Sequence, residues 1–286
     1  MAARKIPTVP QRALAAALER RREAAGLTPK DVAASLEWSE TKVWRIETAR
    51  VTVSPGDIRE LARLYGVSET DTEAMVALAR QAKRPGWWKG MSQVLPEGFS
   101  VHLELESNAR VIRTFEAQFA PGLWQTEEYA RAVFSARSVT SSPEQIERLI
   151  QVRMRRQQIL DRSDPKPPVM WVILDEAVIR RVVGGRDVMR RQLERLREAS
   201  AVPDVTLQIL PFTAGAHMAA YGSFALFDPS DPAFPVTTST DRPAGTLIED
   251  DPSGIEQYVL IFNHLRASSL GPAESRTLID EAMSLL

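Results

Sequence analysis

The sequence predicts an all-α N-terminal domain of five helices followed by an α+β C-terminal domain. Three observations carry this. Over residues 10–80 the apolar residues recur at helical spacing, in short segments punctuated by capping residues and glycines. From residue 101 onward, helical stripes mix with apolar runs and two-residue alternations that suit strands. Between them periodicity fails: Lys83 to Ser100 reads KRPGWWKGMSQVLPEGFS, with two Pro, three Gly and a Trp-Trp pair. The expected organisation is a helical domain at 1–84, a linker at 85–100 and an α+β domain at 101–286.

The first helix runs from Pro10 to Ala25, with Leu14, Ala17, Leu18 and Ala25 on one face; Gly26 then ends it. Two short helices follow. Val32, Ala33 and Leu36 form the stripe of one, Val43 and Ile46 that of the other, with Ser39 as N-cap of the second. Ser54 caps a fourth helix, with Pro55 at its first position and Asp57 at its third. Its stripe is Ile58, Leu61, Ala62 and Tyr65, and Gly66 stops it. Ser68 opens a fifth, with Met75, Val76, Leu78 and Ala79 inward.

The second and third helices are too short to stand alone, so they must pack on each other and on a neighbour. Glu40, Thr41, Lys42 and Arg45 then remain outward on the second of the pair. This is the layout of a helix-turn-helix with Ser39 to Ala49 as recognition helix. The residue types fit a duplex. Arg45 can donate two hydrogen bonds to guanine O6 and N7, Glu40 can accept from cytosine N4, and Thr41 can touch a thymine methyl. Lys42 and Arg50 suit phosphates, which position without specifying. Free N–H groups near Thr28 and Lys30 offer a further phosphate site. The expected DNA-binding set is therefore Thr28, Lys30, Ser39, Glu40, Thr41, Lys42, Arg45 and Arg50. Charge agrees: residues 1–84 carry 15 Lys and Arg against 11 Asp and Glu, whereas the remainder carries 21 against 26.

In the second domain, Glu104 to Thr114 reads as helix, and Thr126 caps a helix with Tyr129, Ala130 and Val133. Ser142 to Gln145 is a capping box that opens a long helix to about Asp161. Val169 to Leu174 is a continuous apolar run, a strand buried on both faces. A helix follows at Arg186 to Ala199. Strands come at Val205 to Ile209, Phe224 to Phe227 and Val236 to Thr240. Two closing helices carry Ile255 to Leu265 and, from Pro272, Leu278 to Leu285.

Several functions lack their residues. The chain has no cysteine, hence no disulfide and no thiolate site. His102, His217 and His264 stand far apart, without metal-ligand spacing. Asp175-Glu176 reads better as a helix N-terminus, and Asp250-Asp251 as a cap, than as a site. No nucleophile-base pair emerges, so the expectation is a non-enzyme without cofactor or metal. No run of about 18 apolar residues occurs, and MAARKIPTVPQRA lacks the apolar core of a signal peptide. A cytoplasmic protein is expected.

Two resemblances sharpen this reading. Residues 11–80 resemble the Cro/lambda-repressor (XRE-type) helix-turn-helix regulators. The matching residues are Leu18, Arg22, Gly26-Leu27-Thr28, Val32-Ala33, Leu36, Ser39, Lys42-Val43 and Arg45-Ile46-Glu47. The resemblance implies a homodimer that reads two half-sites of a double-stranded DNA operator, with Glu47 as a structural acid paired to Arg22. Three positions depart from it. Glu37 stands in the turn where relatives have Gly, and a left-handed conformation there costs about 1 kcal/mol. Pro29 replaces a phosphate-clamping Gln. Trp44 replaces a small polar residue, either as a half-exposed packing residue, the preferred reading, or pressing on the sugar-phosphate backbone.

Residues 104–284 resemble the domain that follows the helix-turn-helix in actinobacterial WhiJ-like, antitoxin-like regulators. The match runs from Glu104 and Phe115-Glu116 through Pro121 to Ala130, Arg153, Arg156-Gln157, Asp175 to Ala177, Gln208 to Phe212, Gly215 to His217 and Ser275-Arg276. It implies a small partner protein encoded nearby. The residues themselves leave two readings of this domain. A partner-binding module would present Pro121 to Ala130. A small-molecule sensor would use Pro211 to His217 and Tyr221 to Phe224. The candidate contact residues are Trp124, Gln125, Glu128, His217 and Phe224. Trp124 is either an interface anchor or a core residue.

Overall fold

The structure, a computed structural model, describes residues 7, 9–81, 86–91, 93–137, 141–219, 222–229, 236–242 and 245–286. The chain divides between Lys89 and Gly90 into two compact units. The first is all-α. The second is α+β, built on a mixed six-stranded sheet.

The first unit comprises α1 (Val9–Ala24), α2 (Pro29–Leu36), α3 (Glu40–Glu47), α4 (Pro55–Leu64) and α5 (Glu69–Gln81). Its helix starts are set by side chains. Thr28 and Ser54 each form a full capping box, with Asp31 and Asp57 respectively, and each is followed by a proline at the first helical position. Ser39 caps α3, its Oγ accepting from the Lys42 N–H at 3.1 Å. Gly26 and Gly66 end α1 and α4 at φ 69° and 68°, a conformation that glycine adopts without steric cost. Leu14 and Leu18 of α1, Val32 and Ala33 of α2, Val43 and Ile46 of α3, Ile58 and Leu61 of α4 and Val76 of α5 close one apolar core. The eight-residue α2 and α3 could not hold their form without that shared burial.

In the second unit the sheet order is β3-β2-β1-β4-β5-β6. The strands are β1 (Ala109–Glu116), β2 (Val169–Asp175), β3 (Val205–Leu210), β4 (Phe224–Pro229), β5 (Thr237–Arg242) and β6 (Gly245–Glu249). β1, β2 and β3 run parallel; β4, β5 and β6 continue antiparallel. The helices are α6 (Phe99–Asn108), α7 (Glu127–Arg137), α8 (Pro143–Arg156), α9 (Glu176–Arg180), α10 (Arg186–Ala199), α11 (Pro252–Ser268) and α12 (Pro272–Ser284). Phe115, Ile173 and Leu226 meet Phe262 and Leu265 of α11 on one face. Ile112, Val172 and Leu174 point to the other and are equally buried. Burial on both faces explains the uninterrupted apolar run of β2.

Two expectations are corrected. Glu104 to Thr114 is not one helix. The Asn108 side chain donates back to the Glu104 carbonyl at 2.8 Å, and the chain then turns extended through Val111, Ile112, Thr114 and Phe115, all strand formers. Nor is the whole of 85–100 linker. Phe99 starts α6, and the Glu97 carbonyl accepts from the Thr246 N–H at 2.7 Å, so this tail belongs to the second unit. Earlier in that stretch Trp87 and Trp88 meet edge to face at 5.5 Å; residues 83–85 and 92 lie outside the described residues. β6 is a strand that sequence reading did not place.

A buried polar group ties α6 to α8. Arg156 donates through Nε to Glu106 Oε1 at 3.0 Å and through Nη2 to the other oxygen. His102 stands beside both, 3.1 Å from Arg156, with its Nδ1 2.9 Å from Ser239 Oγ. Burial works to raise the Glu106 carboxyl. The charge of Arg156 and the hydrogen bonds from His102 and Arg156 overcome it, holding Glu106 at about 2.

Candidate nucleic-acid interface

The buried side of α3 is Val43 and Ile46; its outward side is Glu40, Thr41, Trp44, Arg45 and Thr48. These five recur at three- and four-residue intervals, so they form one continuous exposed face. The helix is held at both ends. Ser39 caps its start. At its far end, Arg22 Nε donates to Glu47 Oε1 at 2.7 Å, and Arg22 Nη1 donates to the Leu27 carbonyl at 2.8 Å. Both side chains of this ion pair are more than nine-tenths buried. The Glu47 hydrogen bond, against burial, raises the Arg22 pKa further. The role expected for Glu47 is thus the one found.

The turn between α2 and α3 passes through Glu37 at φ 54°, ψ 36°. A left-handed glutamate is present where glycine would sit without cost.

Of the expected DNA set all but the half-buried Lys42 are exposed, and Glu40, Thr41 and Arg45 share the outward face of α3. Lys42 is not free for a phosphate. Its Nζ lies 2.7 Å from Asp57 Oδ1 and 3.3 Å above the centre of the Trp38 ring. Burial works to raise the Asp57 carboxyl, but the hydrogen bonds from Lys42 and Ser54 prevail and hold it below the ordinary carboxylate range. Lys42 therefore clamps α3 to α4. Thr28 is likewise taken. Its hydroxyl donates to Asp31 Oδ2 at 2.6 Å and accepts from the Asp31 N–H, while its own N–H donates to Asp31. With Pro29 lacking an N–H, that end of α2 offers a phosphate only Lys30. Ser39 serves as a cap. Arg50 lies with its guanidinium 5.6 Å from the centre of the Trp44 ring. Trp44 itself is 52% exposed, half-exposed as the favoured reading has it, with its free part turned outward on α3.

In the second unit, three candidate contact residues prove to be core. Trp124 is 4% exposed and Gln125 3%. Gln192 Nε2 donates to the Trp124 carbonyl, and Gln157 Nε2 to the Gln125 carbonyl. Phe224 is buried between Phe115 and Tyr258. A Pro-Gly turn with polar neighbours resembles a surface loop in sequence, but the buried Gln192 and the half-buried Gln157 fasten this one down. Glu128 is exposed, with Arg191 at 3.6 Å. His217 is half-buried at the carboxyl end of the parallel strands, its Nε2 3.8 Å from Asp175 Oδ2. Its Nδ1 is buried without a hydrogen-bond partner among the described residues. Tyr221 lies outside the described residues. Asp175 caps α9 through the Ala177 N–H, and Glu176 accepts from the Phe212 N–H; both acids are structural, as expected.

Sequence reading missed the partners of Lys42. Asp57 was visible as a capping acid, but its reach to α3 depends on how α3 and α4 pack. The His102, Glu106 and Arg156 group was also missed; the four-residue step from His102 to Glu106 was its only local sign.

Comparison with known families matches residues 99–281 to the family described as a domain of unknown function, DUF5753. This covers α6 to α12 and well over half of the chain. The chain belongs to the DUF5753 family. Residues 13–75 match a helix-turn-helix domain, the segment that contains α2, α3 and their exposed face. That match supports a DNA-binding regulator. Comparison with curated proteins and with solved structures finds no match. Among the described residues, no helix is long and apolar enough to cross a membrane.

Proposed function

We propose that this protein is a cytoplasmic, dimeric, sequence-specific regulator of the XRE type. Its first unit reads an operator, and its DUF5753 unit receives the signal that sets operator affinity. The observation that carries the reading is the outward face of α3. Glu40, Thr41, Trp44 and Arg45 stand together on a helix capped at one end and pinned by a buried ion pair at the other. Such preorganisation suits base readout, because the side chains meet the groove already placed. In this reading the protein carries out no reaction.

The signal has two candidate sources. The resemblance to WhiJ-like, antitoxin-like regulators favours a small partner protein encoded nearby. The unpartnered Nδ1 of His217 favours a small molecule: the ring lies against Phe115 of β1, where the strand order reverses, and the carboxyl ends of strands at such a reversal are where open sheets take ligands. Either would act by favouring one dimer geometry, matched or unmatched to half-sites about 34 Å apart.

The test is selection of duplexes from a random pool by the full-length protein, with sedimentation of the complex. The reading expects an enriched site of two related halves bound by two copies. Enrichment of a single half-site bound by one copy would contradict the dimer. No enrichment would contradict the reading as a whole. Native mass spectrometry of protein purified from its own host separates the signals: a bound small molecule supports the sensor, a co-purifying small protein the partner module.

A further inference from the structure

We infer that Trp44 reads a base directly, its indole covering the C5-methyl of a thymine in the major groove. The inference rests on the DNA-binding reading of α3 and goes beyond it by assigning a residue and a base. An indole is an expensive group to leave in water, yet this one is 52% exposed. It does not stand at the rim of the face. Glu40 and Thr48 lie one turn before and after it, and Thr41 and Arg45 flank it, all exposed. Whatever groove the face enters, Trp44 enters it at the centre.

The chemistry narrows the contact. The indole offers an apolar plane and one N–H donor, with no acceptor. Its neighbour Arg45 already suits guanine. In the major groove the one apolar feature on a base edge is the thymine methyl. Thr41, one turn away, could share it only through its own methyl.

A second device holds the indole in place. After α3 the chain turns back through Ala49 at φ 53°, and the Arg50 N–H donates to the Arg45 carbonyl at 2.7 Å. This brings the Arg50 guanidinium to 5.6 Å from the ring centre, within reach of a cation–π attraction. Arg50 thus covers the indole from one side and carries positive charge beside it, where a flanking phosphate would lie.

The experiment uses full-length protein and the duplex enriched by the wild type from a random pool. Each thymine is replaced singly by deoxyuridine, which removes the methyl and leaves the base pairing intact. The wild type should bind about fourfold more weakly at one thymine per half-site, the worth of one buried methyl group. Trp44→Ala, with an unchanged melting temperature, should bind thymine and deoxyuridine duplexes alike. Trp44→Phe should keep most of the discrimination. Equal wild-type binding to every deoxyuridine duplex would overturn the inference while leaving the DNA-binding reading intact. So would a Trp44→Ala protein that still discriminates. Uniform weakening of Trp44→Ala on all duplexes, with no discrimination lost, would place the indole on the backbone instead. A pool that yields no enriched duplex would sink the DNA-binding reading and the inference together.

Discussion

Arg22 and Glu47 meet at 2.7 Å, across 25 residues of sequence, in the interior of the first unit. The pair joins the end of α1 to the end of α3 and so fixes the angle at which the recognition face leaves the domain. Glu47→Ala would strand a buried guanidinium, at a cost of about 3–5 kcal/mol. The first unit should then lose its cooperative thermal transition, and DNA binding should fall with it. A loss below about 1 kcal/mol would mean that water relieves Arg22, as at an exposed pair.

Glu37→Gly should act in the other direction. The left-handed Glu37 costs about 1 kcal/mol, of which glycine recovers part after its own greater freedom in the unfolded chain. The first unit should gain about 0.5–1 kcal/mol, read as a raised Tm, with DNA affinity unchanged. A lower Tm would show that the Glu37 side chain contributes more than its backbone costs.

Trp124→Ala should unfold the second unit earlier. The indole is buried and its backbone carbonyl is held by Gln192. Removing it should cost about 3–5 kcal/mol, with Tm falling roughly 2–4 °C for each kcal/mol. DNA binding by the folded protein should persist. An unchanged Tm would return Trp124 to the surface role.

Acid should weaken the second unit through Glu106. Its pKa in the fold is about 2, against an ordinary value of 4.5. A depressed carboxylate stabilises fully above the unfolded value, and that contribution is lost as pH falls from 4.5 toward 2. Denaturation curves of the wild type and of Glu106→Gln should therefore differ most near neutral pH and converge across that window. Parallel curves would show that Glu106 is not the group responsible.

Much of the first unit was legible because its signals are local. Ser54-Pro55 with Asp57, Gly26, Gly66 and Ser39 each act within one helical turn, and the structure places each as read. The Arg22 to Glu47 pair was legible through resemblance. The role of Lys42 was not, because Asp57 and Trp38 reach it only once α2, α3 and α4 have packed. The half-exposure of Trp44 was legible from its place on the outward side of α3. In the second unit, β1 was misread because apolar residues are interspersed with polar ones all the way from Leu103 to Phe115, and only the Asn108 side chain marks the change from helix to strand. Trp124 and Gln125 looked like a surface turn because Gln157 and Gln192, which hydrogen-bond their carbonyls, come from later in the chain, just after α8 and in α10.

The central claim is that the outward face of α3 reads sequence. Competition titration of wild type and Arg45→Ala between the selected duplex and unrelated DNA, at matched salt, tests it most directly. The account predicts that Arg45→Ala loses about 1–3 kcal/mol on the selected duplex, with preference relaxed at one base pair and binding to unrelated DNA nearly unchanged. An Arg45→Ala protein that keeps the full wild-type preference would contradict the account and move the reading surface off α3.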